Sequence, residues 1–206
     1  MKKILEPNIY NVELSSIDKL NDFNTNVKYE NIKKDIVIEN IEFSEAIFEK
    51  VDLSNSKLNK CYFYNVIFNN CDLSNINFSD STFHKVIFKD CRMLGIDFIS
   101  SDLENIKIND SNLKYVNFSD ASLNYIEFNQ TNLEESSFDN TKLKNIIFND
   151  SSLSNSEIIH TSLKGIDLSS SNITGIRIDT NSIRGAIVDR FQLIDLANLL
   201  GVQIKE

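Results

Sequence analysis

From residue 38 to residue 188 every fifth residue is apolar, through 31 consecutive units with none inserted or lost. The series runs Ile38, Phe43, Phe48, Leu53, Leu58, Phe63 and Phe68, and continues unbroken to Ile178, Ile183 and Val188. A straight α-helix cannot use this pattern. At about 100° per residue, five residues advance about 500°, so the apolar positions spiral around the axis and make no buried face. A straight strand cannot use it either, because five is odd and successive apolar residues would fall on opposite faces. The chain must therefore turn once in every unit.

A second position shows where it turns. Two residues before each central apolar residue stands a small or β-branched one, as at Val51, Cys61, Val66, Cys71, Ile76, Ser81, Val86 and Cys91. Residues two apart in an extended segment share a side. Positions i−2 and i then face inward together and i−1 faces out. The corner falls at i+1 and i+2, where turn formers concentrate: Asn69-Asn70, Ser79-Asp80, Asn109-Asp110, Ser119-Asp120 and Asn149-Asp150.

Units such as Cys71-Asp72-Leu73-Ser74-Asn75, Ser81-Thr82-Phe83-His84-Lys85 and Ala121-Ser122-Leu123-Asn124-Tyr125 resemble the pentapeptide-repeat family, whose consensus is A-(D/N)-L-x-x. The resemblance covers about three quarters of the chain. It implies an all-β fold, a right-handed quadrilateral β-helix with four repeats per coil. Residues 20 apart should then stack. Leu53, Leu73, Met93, Leu113, Leu133, Leu153 and Ile173 form one such column. Phe48, Phe68, Phe88, Phe128 and Phe148 form another, interrupted by Ile108. Phe78, Phe98, Phe118 and Phe138 form a third, and Leu103, Leu123, Leu143 and Leu163 a fourth. The expectation is two phenylalanine walls alternating with two leucine walls, in about eight coils. At about 4.8 Å per coil, that rod is on the order of 37 Å long.

The open ends of a solenoid need covers. Residues 1–35 break the repeat, with Lys28 and Lys33 at in-register positions. They are expected to form an N-terminal cap with a short helix near Ser15 to Phe23. Residues 36–188 form the β-helix, and 189–206 a C-terminal capping helix and tail, all within one domain. Asp189 caps a helix running through about Leu200, Gly201 stops it, and Val202–Ile204 can add a strand. Phe191, Leu193, Leu196, Leu199 and Leu200 exceed one buried stripe. A lid alone, or a lid that also forms a homodimer, fits this. Related pentapeptide-repeat proteins pair through their C-terminal ends.

No 18-residue apolar stretch occurs, and the start lacks the apolar region of a signal peptide, so a cytoplasmic location is expected. Cys61, Cys71 and Cys91 all take the inward i−2 position and read as reduced, buried fillers, although Cys71 and Cys91 lie within disulfide reach. Their spacing does not suit zinc. His84 and His160 fall at corners without a catalytic companion. No phosphate loop, dinucleotide fingerprint or nucleophile elbow is present, so no enzyme, cofactor, metal or catalytic residue is expected.

Thirty acidic against 21 basic residues give a formal net charge of −9. Direct nucleic-acid binding needs the opposite balance. On a 20-residue coil, Asp90, Asp110 and Asp150 share one outward column, and Asp80 and Asp120 another. One reading is solubility, since turns favour Asp and a repeat protein must keep its faces wet. The other is an acidic rod that imitates duplex DNA for a basic groove. The resemblance supports the second, because the family includes quinolone-resistance proteins that bind DNA gyrase and topoisomerase IV as DNA mimics. The segment Ser182–Asp189 with its apolar helix is similar to the end of such proteins in Gram-positive bacteria. The loops that interrupt the repeats of enterobacterial resistance proteins have no counterpart between 38 and 188. A structural scaffold with an unknown partner is the competing class. Ile47, Ile67 and Ile87 make an outward stripe, with Tyr62, Tyr64, Ile99, Tyr115 and Tyr125 also outward, and such a stripe suits a protein contact.

Overall fold

The computed structural model describes residues 3–197. In its strands, positions i−2 and i point in and i−1 points out, as the five-residue rule requires. Val51, Cys61, Val66, Ile76 and Val86 are buried, as are the central residues from Phe43 to Phe138. The corner is set by one residue per unit. Every fifth residue from Asn40 to Gly165 has a positive φ, between 46° at Asp150 and 77° at Gly165. That left-handed conformation costs most L-residues about 1–2 kcal/mol and is easiest for Gly, Asn and Asp. It explains why position i+2 is so rich in Asn and Asp. The path turns by about a quarter circle at each, so four units close one coil.

Strands β1 (Glu13–Leu14), β2 (Phe23–Thr25), β3 (Val27–Glu30), β5 (Glu42–Glu49), β7 (Tyr62–Asn69), β8 (Thr82–Lys89), β9 (Asp102–Asn109), β10 (Ser122–Asn129) and β11 (Lys142–Asn149) build one parallel sheet. Two smaller sheets pair β4 (Val37–Glu39) with β6 (Lys57–Asn59), and β12 (Glu157–Ile158) with β13 (Arg177–Ile178). From β5 onward the register is 20 residues: Phe43 faces Phe63, Phe63 faces Phe83 and Ile126 faces Ile146. Single bridges such as Asp72↔Arg92 and Asn77↔Asp97 carry the same step round the other walls. The fold is a four-sided parallel β-helix closed at its end by helix α1 (Gln192–Ala197).

The core is a set of ring ladders. Phe48, Phe68 and Phe88 stack at 4.6 and 4.9 Å between centroids, and Phe78, Phe98, Phe118 and Phe138 at 5.6, 5.4 and 5.1 Å. The expectation of two leucine walls needs correction. The column that continues as Leu103, Leu123, Leu143 and Leu163 begins with Phe43, Phe63 and Phe83, stacked at 5.3 and 4.5 Å. Three walls are therefore aromatic in the first half of the rod. Small i−2 residues leave room for these rings and also bond across coils. Ser101 Oγ donates to the Phe78 carbonyl at 2.8 Å, and Thr141 Oγ1 to that of Phe118 at 2.8 Å. The cysteines do the same: the Cys71 thiol donates to the Phe48 carbonyl at 3.3 Å and Cys91 to that of Phe68 at 3.5 Å. All three cysteines are free thiols. Cys91 is held far above the usual thiol range by its hydrogen bond with Cys71 and by burial.

The N-terminal segment differs from the expected cap. Its helix is one 3-10 turn, Ile17–Lys19, begun by Ser16. Strands β2 and β3 join the main sheet one residue out of step, since Asn24 faces Phe43 and Tyr29 faces Phe48. Lys33 pairs with Asp52 but Val37 with Lys57, so one residue is missing from the corner between them. Tyr29, not Lys28, takes the inward position and packs tilted against Phe48, with ring centroids 5.0 Å apart.

At the other end Asp189 Oδ1 accepts from the N–H groups of Phe191 and Gln192, at 2.6 and 2.9 Å. Gln192 Oε1 returns a bond to the Asp189 N–H at 2.9 Å, completing a capping box. Buried Gln192 also donates to the carbonyls of Leu168 and Ser171, at 2.8 and 2.7 Å, and so fastens the helix onto the last coils. The expected extension to Leu200, the stop at Gly201 and the strand at Val202–Ile204 lie outside the described residues.

Candidate interaction surface

The five aspartates of the acidic columns are all exposed, each at a left-handed corner. The geometry divides them. Asp90, Asp110 and Asp150 lie on one edge of the rod, with Asn70 and Gln130 between and before them. Asp80 and Asp120 lie on the edge ten residues away, half a coil round, and so diagonally opposite. No flat partner surface touches both edges at once. Within an edge, neighbours such as Asp90 and Asp110 stand one coil apart, about 4.8 Å.

The first edge is not purely acidic. Arg92 flanks Asp90 and Asp110 in a shallow surface groove that also includes Asn112, Gln130 and Asn132. Its guanidinium lies 3.7 Å from Asp72. On the neighbouring wall Lys114 sits 3.6 Å from Glu134 and 3.0 Å from Glu135, and 5.0 Å from the Tyr115 ring centre. Residues 101–150 nevertheless carry nine acidic and four basic side chains.

Much of the remaining outer face is a stack of amides. Asn149 donates to Asn129 at 2.7 Å and Asn129 to Asn109 at 2.8 Å. Asn140 donates to Asp120 at 2.6 Å. His84 lies 3.8 Å from Glu104, and His160 Nδ1 3.0 Å from Asp139. Neither histidine meets a nucleophile. Among the described residues no group of three or more His, Cys, Asp or Glu could hold a metal ion, and no helix is long and apolar enough to cross a membrane.

Sequence reasoning missed Asp179. It accepts from the backbone N–H groups of His160, Asn181 and Ser182, each at 2.9 Å, and from the Ser182 hydroxyl. Those donors, the Ser182 hydroxyl foremost, hold its carboxyl well below the usual range. Only its place in a turn near the last coil hinted at this role.

Of the residues expected at a dimer contact, Phe191 and Leu193 are exposed, 64% and 56%, with Ile194 beside them. Arg190 lies over the Phe191 ring at 4.5 Å. Leu196 instead joins the core cluster and serves the lid. Leu199 and Leu200 lie outside the described residues.

Comparison with known proteins matches this architecture. A family model described as a pentapeptide repeat region matches residues 41–118. A second, pentapeptide repeats in eight copies, matches 111–150 and 137–175. No curated protein matches the chain. Among solved structures, a trypsin-treated variant of QnrB1, a plasmid-mediated fluoroquinolone resistance protein, is 24% identical, with 87% of this chain and 99% of that one covered and a TM-score of 0.40. A pentapeptide-repeat protein of the Arabidopsis thaliana thylakoid lumen is 21% identical over 48% of this chain and 63% of that one, TM-score 0.40. HetL, involved in heterocyst differentiation regulation in the cyanobacterium Nostoc, is 13% identical over 89% and 92%, TM-score 0.33. With 41–175 matched by its models and a β-helix turning at every fifth residue, the chain belongs to the pentapeptide-repeat family.

Proposed function

We propose that the chain is a non-enzymatic interaction protein that presents an acidic edge to the duplex-DNA groove of a type II topoisomerase, gyrase or topoisomerase IV, and so alters quinolone sensitivity. The observation that carries this reading is the exposed edge of Asp90, Asp110 and Asp150 on a rod of net charge −9. Carboxylates spaced along one edge of a straight support offer a basic groove what a phosphate backbone offers it. The family resemblance of the repeats and of Ser182–Asp189 points to the same class of partner.

A scaffold with a different partner is the second reading. It is favoured by the backbone, because left-handed corners select Asp and Asn whatever the partner. Gyrase supercoiling assays separate the two, with and without a quinolone, at low and high salt. Docking by one edge predicts that Asp90, Asp110 and Asp150 all changed to Asn will weaken inhibition about tenfold or more. The Asp80→Asn, Asp120→Asn double variant should retain it. Salt should weaken binding steeply. No effect on either enzyme at low salt and excess protein would leave the scaffold reading.

A further inference from the structure

The first residues of the chain do not lie where the coils begin. Leu5 donates its backbone N–H to Asn105 Oδ1 at 3.1 Å, and Lys107 Nζ lies 2.7 Å from Glu6 Oε1. Both wall partners belong to β9. Glu13, only eight residues beyond Leu5, pairs with Val27 in β3. Between the levels of β1 and β9 stand β3, β5, β7 and β8, so the two contacts are five coil steps apart, about 24 Å. Eight extended residues reach at most about 26–29 Å. The segment therefore runs nearly straight down the wall, across the strands rather than along them.

Its route is fixed by the register. Leu14 is in line with Lys28, and Lys28 with Ile47, Ile67, Ile87 and Lys107. Asn105 stands two residues to the side, in line with Glu45, Asn65 and Lys85. The segment thus passes over the isoleucine stripe. A cleft between Tyr10, Asn11 and Glu13 on one side and Thr25, Asn26, Val27 and Glu45 on the other marks its upper end. At its lower end Ile4 is 6% exposed. Asn105 is also 6% exposed, whereas Glu45, Asn65, Lys85 and Tyr125 of the same outward column are only half-buried. The Asn65 side-chain oxygen Oδ1 is sealed from solvent without a hydrogen-bond partner.

A strand laid across a sheet cannot use the backbone pairing that holds every coil. Among the described residues the hydrogen bonds from residues 3–12 to the wall are the two at Leu5 and Glu6. Lys107 is itself shared, with Glu127 at 3.7 Å. The cover is thus latched at one end, and its Leu5 and Tyr10 side chains are exposed, 50% and 67%.

We propose that the wall carrying Ile47, Ile67 and Ile87 is a docking face for an extended peptide with an aliphatic residue two places before a carboxylate, and that residues 4–12 are its built-in competitor. Ile4-Leu5-Glu6 shows the chemistry the site accepts: an aliphatic side chain buried beside Asn105, a backbone N–H for its amide oxygen, and a carboxylate for Lys107. A partner segment of that type displaces the strap and gains the same contacts.

The test uses the full chain and a fluorescent peptide of residues 1–11. In the unmodified protein the tethered strap competes at an effective concentration of about millimolar, so the peptide binds weakly. Glu6→Lys places two like charges at the latch and should raise peptide affinity about tenfold or more, with the circular dichroism spectrum unchanged. Glu6→Gln should raise it less. Restoring the pair in reverse, with Glu6→Lys and Lys107→Glu together, should return binding to the weak level for a peptide that carries the same Glu6→Lys change and so still matches the site. The proposal is overturned if Glu6→Lys binds the peptide no more tightly than the unmodified protein, or if the reversed pair binds as tightly as Glu6→Lys alone.

Discussion

Single residues divide here into those that fill and those that turn. Phe118 is fully buried between Phe98 and Phe138, at 5.4 and 5.1 Å. Phe118→Ala should cost about 3–5 kcal/mol, because rigid coils above and below cannot collapse into the gap. Exposed Lys142→Ala should stay within about 0.5 kcal/mol. Urea midpoints compare the two. Asn117, the outward neighbour, is not a neutral control, since its Oδ1 accepts the Ser119 N–H at 3.0 Å. Asp97 lies in line with Asn77 and Asn117 but lacks their bond, and one of its buried oxygens has no partner. Burial raises its carboxyl above the usual value of 3.8. An acid raised by folding is destabilising once ionised, so its penalty is absent below that value and grows as pH rises through the folded one. Asp97→Asn should therefore stabilise at pH 7, by about 0.5–1.5 kcal/mol if the amide regains a hydrogen bond. The gain should shrink on acidification below the ordinary value. An equal gain at both ends of a pH series of urea titrations would show that ionisation is not the cause. The left-handed corners suggest a third change. Lys60, at φ 56°, holds a conformation that Asn accepts more readily. Lys60→Asn should stabilise the fold by up to about 1 kcal/mol, read as a higher urea midpoint.

At the scale of elements, the terminal helix combines two tasks that the sequence could not separate. Leu196 and Gln192 face the last coils, and Phe191, Leu193 and Ile194 face away. Leu196→Ala should loosen the lid and cost about 2 kcal/mol, read as an earlier urea transition. Leu193→Glu should leave the midpoint unchanged and, where the native protein sediments as a dimer, give a monomer. A shift of the midpoint by Leu193→Glu equal to that of Leu196→Ala would show that both serve the lid. The capping box and the bonds of Gln192 to Leu168 and Ser171 hold the described part of the helix on the last coils. The N-terminal strands had a readable signal, Tyr29 as an inward ring. One residue lost at a corner shifted it out of phase with the series that starts at Ile38.

From β5 onward the molecule is a one-dimensional stack in which each coil pairs only with its neighbours, crossed by the segment 4–12. Stability is then the sum of coil and interface contributions, and loss of structure begins at the ends. Amide hydrogen exchange should be slowest in β7–β10, whose strands have ladders on both sides, and fastest in β1 and α1. Uniform protection along the rod would contradict this. The same stacking makes long-range surface features out of short-range sequence ones. Residues 20 apart become neighbours, so an aspartate every coil is an edge and an isoleucine every coil is a stripe.

The sequence alone determined the repeat, the inward and outward positions and the burial of the cysteines, while the 20-residue coil came from the family resemblance. Each depends on a period, and a strict period fixes which way side chains point. The tertiary structure decided what period cannot express. It set the acidic columns on diagonally opposite edges, since that depends on how four corners close. It put Leu196 under the lid and Leu193 outside it, because a short apolar helix has no reading frame of its own. It also carried residues 4–12 down the wall to Asn105 and Lys107. No local pattern in an extended segment says which surface a hundred residues away will receive it.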